Sequence, residues 1–207
     1  MSVVNTHLPE LLLGPMVRRA EPSNVCLQLV TSMPRAVRFE FTGTEVENEV
    51  LEIPLGKHCF FYIVNVKPKS GELIVDTAIG YTLYLDDIKA DLSVYCYPHA
   101  DSPEFVIPNV LKQVLHGSCR NPHYPVEDSL ASADETLSQA RLNQTTAPTL
   151  LLLSGDQIYA DDVAGPMIQA IYAVIEQLGL FKEARTEYIN LPDNLSEQLF
   201  ARTPHLP

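Results

Sequence analysis

The chain has 207 residues, 46% hydrophobic and 19% charged, which is enough apolar material for a buried core and too little charge for a disordered chain. Its formal net charge is −12, with 14 Lys plus Arg spread along the chain without a cluster, which argues against a nucleic-acid-binding surface. No apolar run approaches the roughly 18 residues of a membrane helix, and Leu11-Leu12-Leu13, preceded by Glu10, is too short for an export signal, so the expectation is a cytoplasmic protein without membrane attachment.

Residues 12 to about 105 read as strands. Asn24-Val25-Cys26-Leu27-Gln28-Leu29-Val30 is β-rich and flanked by Pro22 and Pro34. Val37-Arg38-Phe39-Glu40-Phe41 alternates apolar and charged, the period-two mark of a half-buried strand. Residues 49–53 and 59–66 follow, the second ending at Lys67-Pro68-Lys69-Ser70-Gly71, a turn by composition. Residues 76–85 and 91–97 supply two more. Short strands with turn signals about every ten residues predict an all-β sandwich, placed at residues 1–100. Cys26, Cys59 and Cys96 fall in these predicted strands, and the chain has no CxxC pair, so they read as structural thiols in a reducing compartment.

The pattern changes near Pro98, and His99-Ala100-Asp101-Ser102-Pro103 reads as a linker. Beyond it strand and helix alternate. A short apolar piece at residues 109–115 leads into a loop, His116 to Pro125. Residues 128–142 are helix-compatible, with Leu130, Ala133, Leu137 and Ala140 on one face and Glu127 and Asp128 near the start. Residues 149–153 are an uninterrupted apolar run, which fits a central strand covered on both faces. Residues 163–178 read as a helix with Ile168, Ile171, Tyr172 and Ile175 on one stripe, ended by Gly179. The fold class expected is α+β: an N-terminal antiparallel β-sandwich, then a partial layered α/β domain at residues 101–207.

Two segments carry chemistry. In the first, an apolar strand ends at Ser154-Gly155 and Asp156 follows at once, with Tyr159 one turn on if a helix starts there, and Asp161 and Asp162 beyond. Ligands of open α/β sheets bind beyond the carboxyl ends of strands, and a carboxylate can bridge two cations at the spacing of two-metal hydrolysis. An aspartate helix cap with a packed tyrosine behind it is the other reading of the same residues. In the second segment, Gly117-Ser118-Cys119-Arg120, a thiolate suits a transition metal and the planar guanidinium suits phosphate oxygens. An ordinary loop is the plain alternative. Cys119 as a nucleophile, with His116 or His123 nearest in sequence, is a further one.

Gly117-Ser118-Cys119-Arg120, the downstream Asp128-Ser129-Leu130, and the strand running into Gly155-Asp156-Gln157-Ile158-Tyr159-Ala160-Asp161-Asp162 together resemble the PhoD-like alkaline phosphatases and phosphodiesterases of the calcineurin-like metallophosphatase superfamily. The segment Gly14 to Arg19, followed by Val25 to Leu29, is similar to the first strand of that family's sandwich. The resemblance implies hydrolysis of phosphate-ester small molecules. It implies Cys119 and Tyr159 as iron ligands and Asp156 as a bridge between iron and calcium, or another divalent pair. It also implies Asp161 as an accessory ligand and Arg120 as a contact to the substrate phosphate. The superfamily completes its site with later histidine-bearing motifs, and after Tyr159 the sequence holds only His205. A partial chain, inactive alone and self-associating through an unfinished sheet, is therefore expected. The alternative is a non-catalytic β-sandwich binding or structural module with a relic metal segment. A second chain supplying the missing ligands is a third.

Overall fold

The computed structural model describes residues 8–97, 100–121, 127–143, 146–157, 159 and 163–181. It opens with two antiparallel sheets that share one core. The first has the order β1-β2-β5-β4, built from β1 (Leu11–Glu21), β2 (Asn24–Thr31), β4 (Val46–Gly56) and β5 (Cys59–Pro68). The second joins β3 (Val37–Phe41) to β6 (Ala78–Leu85), which also pairs with β7 (Ile88–Lys89) and β8 (Glu104–Val106). Alternation decides which face each strand buries. Val25, Leu27 and Leu29 of β2 and Tyr62, Val64 and Val66 of β5 face inward, fully buried, against Val37, Phe39 and Phe41 of β3 and Ile79, Tyr81, Leu83 and Leu85 of β6. The turn between β6 and β7 places Asp86 and Asp87 both at positive φ, the conformation a two-residue hairpin demands, and Asp86 is fixed there by Ala36 N–H (2.8 Å) and Arg35 (2.6 Å).

Two sequence expectations change here. Residues 91–97 do not form a strand. Ser93–Tyr95 is a single 3-10 turn, because the Asp91 carboxylate accepts the Ser93 N–H at 2.9 Å and Tyr95 N–H then closes on Leu92 O. Cys96 therefore lies outside the sheets, half-buried, with its thiol donating to Leu92 O at 3.4 Å. The β sheets also continue past residue 100, since β8 pairs with the start of β6 and sends Phe105, with Ile107 just beyond, into the shared core. All four cysteines are free thiols, Cys59 buried and Cys119 exposed.

The second region is β9 (Val114–Ser118), α1 (Ser129–Leu142), β10 (Leu150–Ser154) and α2 (Gly165–Leu178). β9 and β10 pair in parallel, with α1 between them in the chain. The run Leu150–Leu153, expected to be covered on both faces, is exposed throughout, because among the described residues only β9 pairs with it. On α2, Ile168 and Ile175 are half-buried, whereas Ile171 and Tyr172 of the same stripe are exposed. Gly179 ends this helix at φ +58, and Leu180 N–H returns to Ile175 O, the expected glycine stop.

Both helices are tied to the β sheets. From α1, Arg141 pairs with Glu104, and Asp134 accepts from the Tyr97 hydroxyl at 2.8 Å. The end of α2 meets the β4–β5 hairpin through its backbone: Lys57 N–H donates to Gly179 O (3.0 Å), His58 N–H to Leu178 O (2.8 Å), and Phe181 N–H to Leu55 O (3.3 Å). A Cβ on Gly56 would sit 2.7 Å from Gly179 O, so this close approach needs glycine. Among the described residues no helix is long and apolar enough to cross a membrane.

Candidate metal centre

The parallel register puts Ser118 and Ser154, the last residues of β9 and β10, side by side. Each strand then turns sharply. Cys119 stands at φ +54 and Gly155 at φ +67, and Cys119 N–H donates to Ser154 O at 3.2 Å, so the two turns are locked together. Gly155 has a second reason to be glycine: a Cβ there would lie 2.7 Å from Cys119 Sγ and 2.8 Å from Ser118 Oγ. Removing the side chain at 155 opens the space the thiol fills.

Ser118, Asp156 and Tyr159 surround that thiol. The Ser118 hydroxyl is hydrogen-bonded to Cys119 Sγ at 3.3 Å. That hydroxyl, the Tyr159 phenol and the Asp156 N–H hold the thiol below its ordinary range, in that order of effect, against desolvation and the Asp156 carboxylate, which push it up. Cys119, Asp156 and Tyr159 therefore lie near one another beyond the carboxyl ends of two parallel strands. A readily ionised thiol, a phenol and a carboxylate form a donor set that fits a transition metal with a harder cation beside it. Asp161, with Asp162 and His123, lies outside the described residues. Among the described residues no three of His, Cys, Asp and Glu gather into a metal cluster.

The Arg120 side chain turns toward the start of α1. Its Nε and Nη2 both bind Asp128, at 3.1 and 2.5 Å, and this partner pulls the Asp128 carboxyl down to about 2. Asp128 also caps α1 by accepting Leu130 N–H at 3.0 Å. Arg120 lines a cleft of about 240 Å³ between α1 and the strand pair, with His116, Ser118, Ser129, Ser132 and Gln157. His116 does not serve Cys119, because its Nε2 lies 2.8 Å from Ser154 Oγ. That His–Ser contact follows from the strand register and carries no signal in the linear sequence. The Asp128 partner does carry one, the N-cap aspartate eight residues after the arginine.

No family model, curated protein or solved structure matches this chain.

Proposed function

We propose that the ends of β9 and β10 carry the cation site of a phosphate-ester hydrolase of the PhoD-like type, and that β9–α1–β10 is the opening of a layered α/β metallophosphatase domain. The meeting of the Cys119 thiol, Asp156 and Tyr159 at adjacent strand ends is the observation that supports this reading. Cys119 gives a thiolate, Tyr159 a phenolate, and Asp156 a carboxylate able to serve two cations; iron and calcium, or a similar pair, fit these donors. Bound there, the cations would supply Lewis acidity and an acidified water for ester hydrolysis. Ser118 and the Asp156 N–H ease loss of the Cys119 proton, and Gly155 leaves the sulfur its room. Arg120 is the candidate contact for the substrate phosphate, reached from the cleft it lines.

Iron loading tests the proposal directly. The purified chain, titrated with iron, should develop the visible charge-transfer band of a tyrosinate–iron bond. Tyr159→Phe should abolish the band, and Cys119→Ser and Asp156→Asn should each weaken iron retention by about tenfold or more. Iron binding that is absent, or a band that persists in Tyr159→Phe, would favour the non-catalytic β-sandwich module. Assays on phosphomonoesters and phosphodiesters with iron and calcium added then read turnover.

A further inference from the structure

We propose that Asp128 is the positioning residue for Arg120: it grips one edge of the guanidinium so that the remaining donors serve a phosphate group entering the cleft beside Cys119. The inference rests on the phosphoesterase reading and adds a residue that the donor set does not contain. Three observations support it. Both Asp128 oxygens are engaged, Oδ1 by Arg120 Nε (3.1 Å) and Leu130 N–H (3.0 Å), and Oδ2 by Arg120 Nη2 (2.5 Å). The carboxylate is thus anchored by the backbone of α1, and the arginine inherits that anchorage. Arg120 has five N–H donors, and this grip leaves the Nη1 pair and one Nη2 proton for another acceptor. Finally, Arg120 lines the cleft together with Ser118, whose hydroxyl also touches the Cys119 sulfur, so a ligand on the arginine would lie one side chain from the candidate cation site.

The alternative role for Asp128 is competition, in which its carboxylate occupies the arginine and excludes phosphate. The two roles predict opposite signs. Asp128→Asn keeps an oxygen for Leu130 N–H, since asparagine caps helices as well as aspartate does, but removes the charge that holds Arg120. Calorimetric titration of the full chain with inorganic phosphate should show Asp128→Asn binding about three- to fivefold more weakly than the native chain, on the scale of a partly exposed ion pair. Asp128→Glu should recover part of the loss. In an Arg120→Ala background the Asp128→Asn change should have no further effect, and circular dichroism should show α1 intact in each variant. Tighter phosphate binding by Asp128→Asn, an unchanged affinity, a loss that survives without Arg120, or no phosphate binding by the native chain would each overturn the inference. Its failure is separable from failure of the parent reading, because the tyrosinate–iron band does not depend on Arg120.

Discussion

Gly155→Ala asks whether the thiol and the two strand ends form one built site. Its cost has two parts. An L residue held at φ +67 loses about 1–2 kcal/mol relative to glycine. The added methyl would also start 2.7 Å from Cys119 Sγ and 2.8 Å from Ser118 Oγ, well inside the roughly 3.5 Å at which carbon contacts become favourable. Relief requires both small side chains to rotate away, which breaks their mutual hydrogen bond and moves the sulfur off the Asp156 N–H. Gly43→Ala separates the two parts, because Gly43 stands at φ +74 with nothing within 4 Å of its Cβ position and so carries the backbone cost alone. The assay is alkylation of Cys119 followed residue by residue in a mass spectrometer across pH 6 to 10. In Gly155→Ala the rate profile should move to higher pH and the rate at neutral pH should fall several-fold, while Gly43→Ala should leave the profile in place. A Gly155→Ala chain that reacts at the native rate at every pH would show that the sulfur does not sit against residue 155, and the account of the site would fail with it.

The same alkylation profile should place the native Cys119 midpoint below that of an ordinary thiol, since its partners favour the thiolate, and Ser118→Ala should shift it upward more than Tyr159→Phe does, following the order of their effects. Cys59, pushed up by burial, should titrate on the opposite side in the same sample. In the core, the fully buried Tyr62 donates its hydroxyl to Glu52 at 2.7 Å and accepts Arg35 N–H at 2.8 Å. Tyr62→Phe strands that N–H and should cost about 1–3 kcal/mol, several degrees in thermal midpoint. An unchanged midpoint would mean that water replaces the phenol freely.

Periodicity made the β sheets legible wherever one face is wholly buried. Val25, Leu27 and Leu29 alternate with half-exposed neighbours, and Val37, Phe39 and Phe41 do the same, so the pattern in the sequence is the pattern of burial. Residues 91–97 misled because their β-forming side chains compete with Asp91, whose carboxylate takes a backbone N–H and curls the chain. The apolar run Leu150–Leu153 was legible as a strand but not in its exposure, which depends on what else joins the sheet. At the site, the Asp156 and Tyr159 pair could be read from spacing. Their approach to Cys119 depends on a pairing formed across the whole of α1, which residue spacing does not show and which was expected only through the family resemblance. The pairing of Arg120 with Asp128 had a trace in the sequence, an aspartate at a helix start eight residues on, but the same residue also serves as the cap of α1, so the pairing could not be told from capping alone.

The meeting of Gly56 with Gly179 makes the two regions mechanically dependent. A helix leaves its last carbonyls without intrahelical donors, and two such acceptors at the end of α2, Leu178 O and Gly179 O, are served by amides from the tip of a distant hairpin. The β-rich half is thus a clamp on the chain beyond the thiol, not a neighbour joined by a tether. Removing residues 1–107 would strip those carbonyls of their hairpin donors.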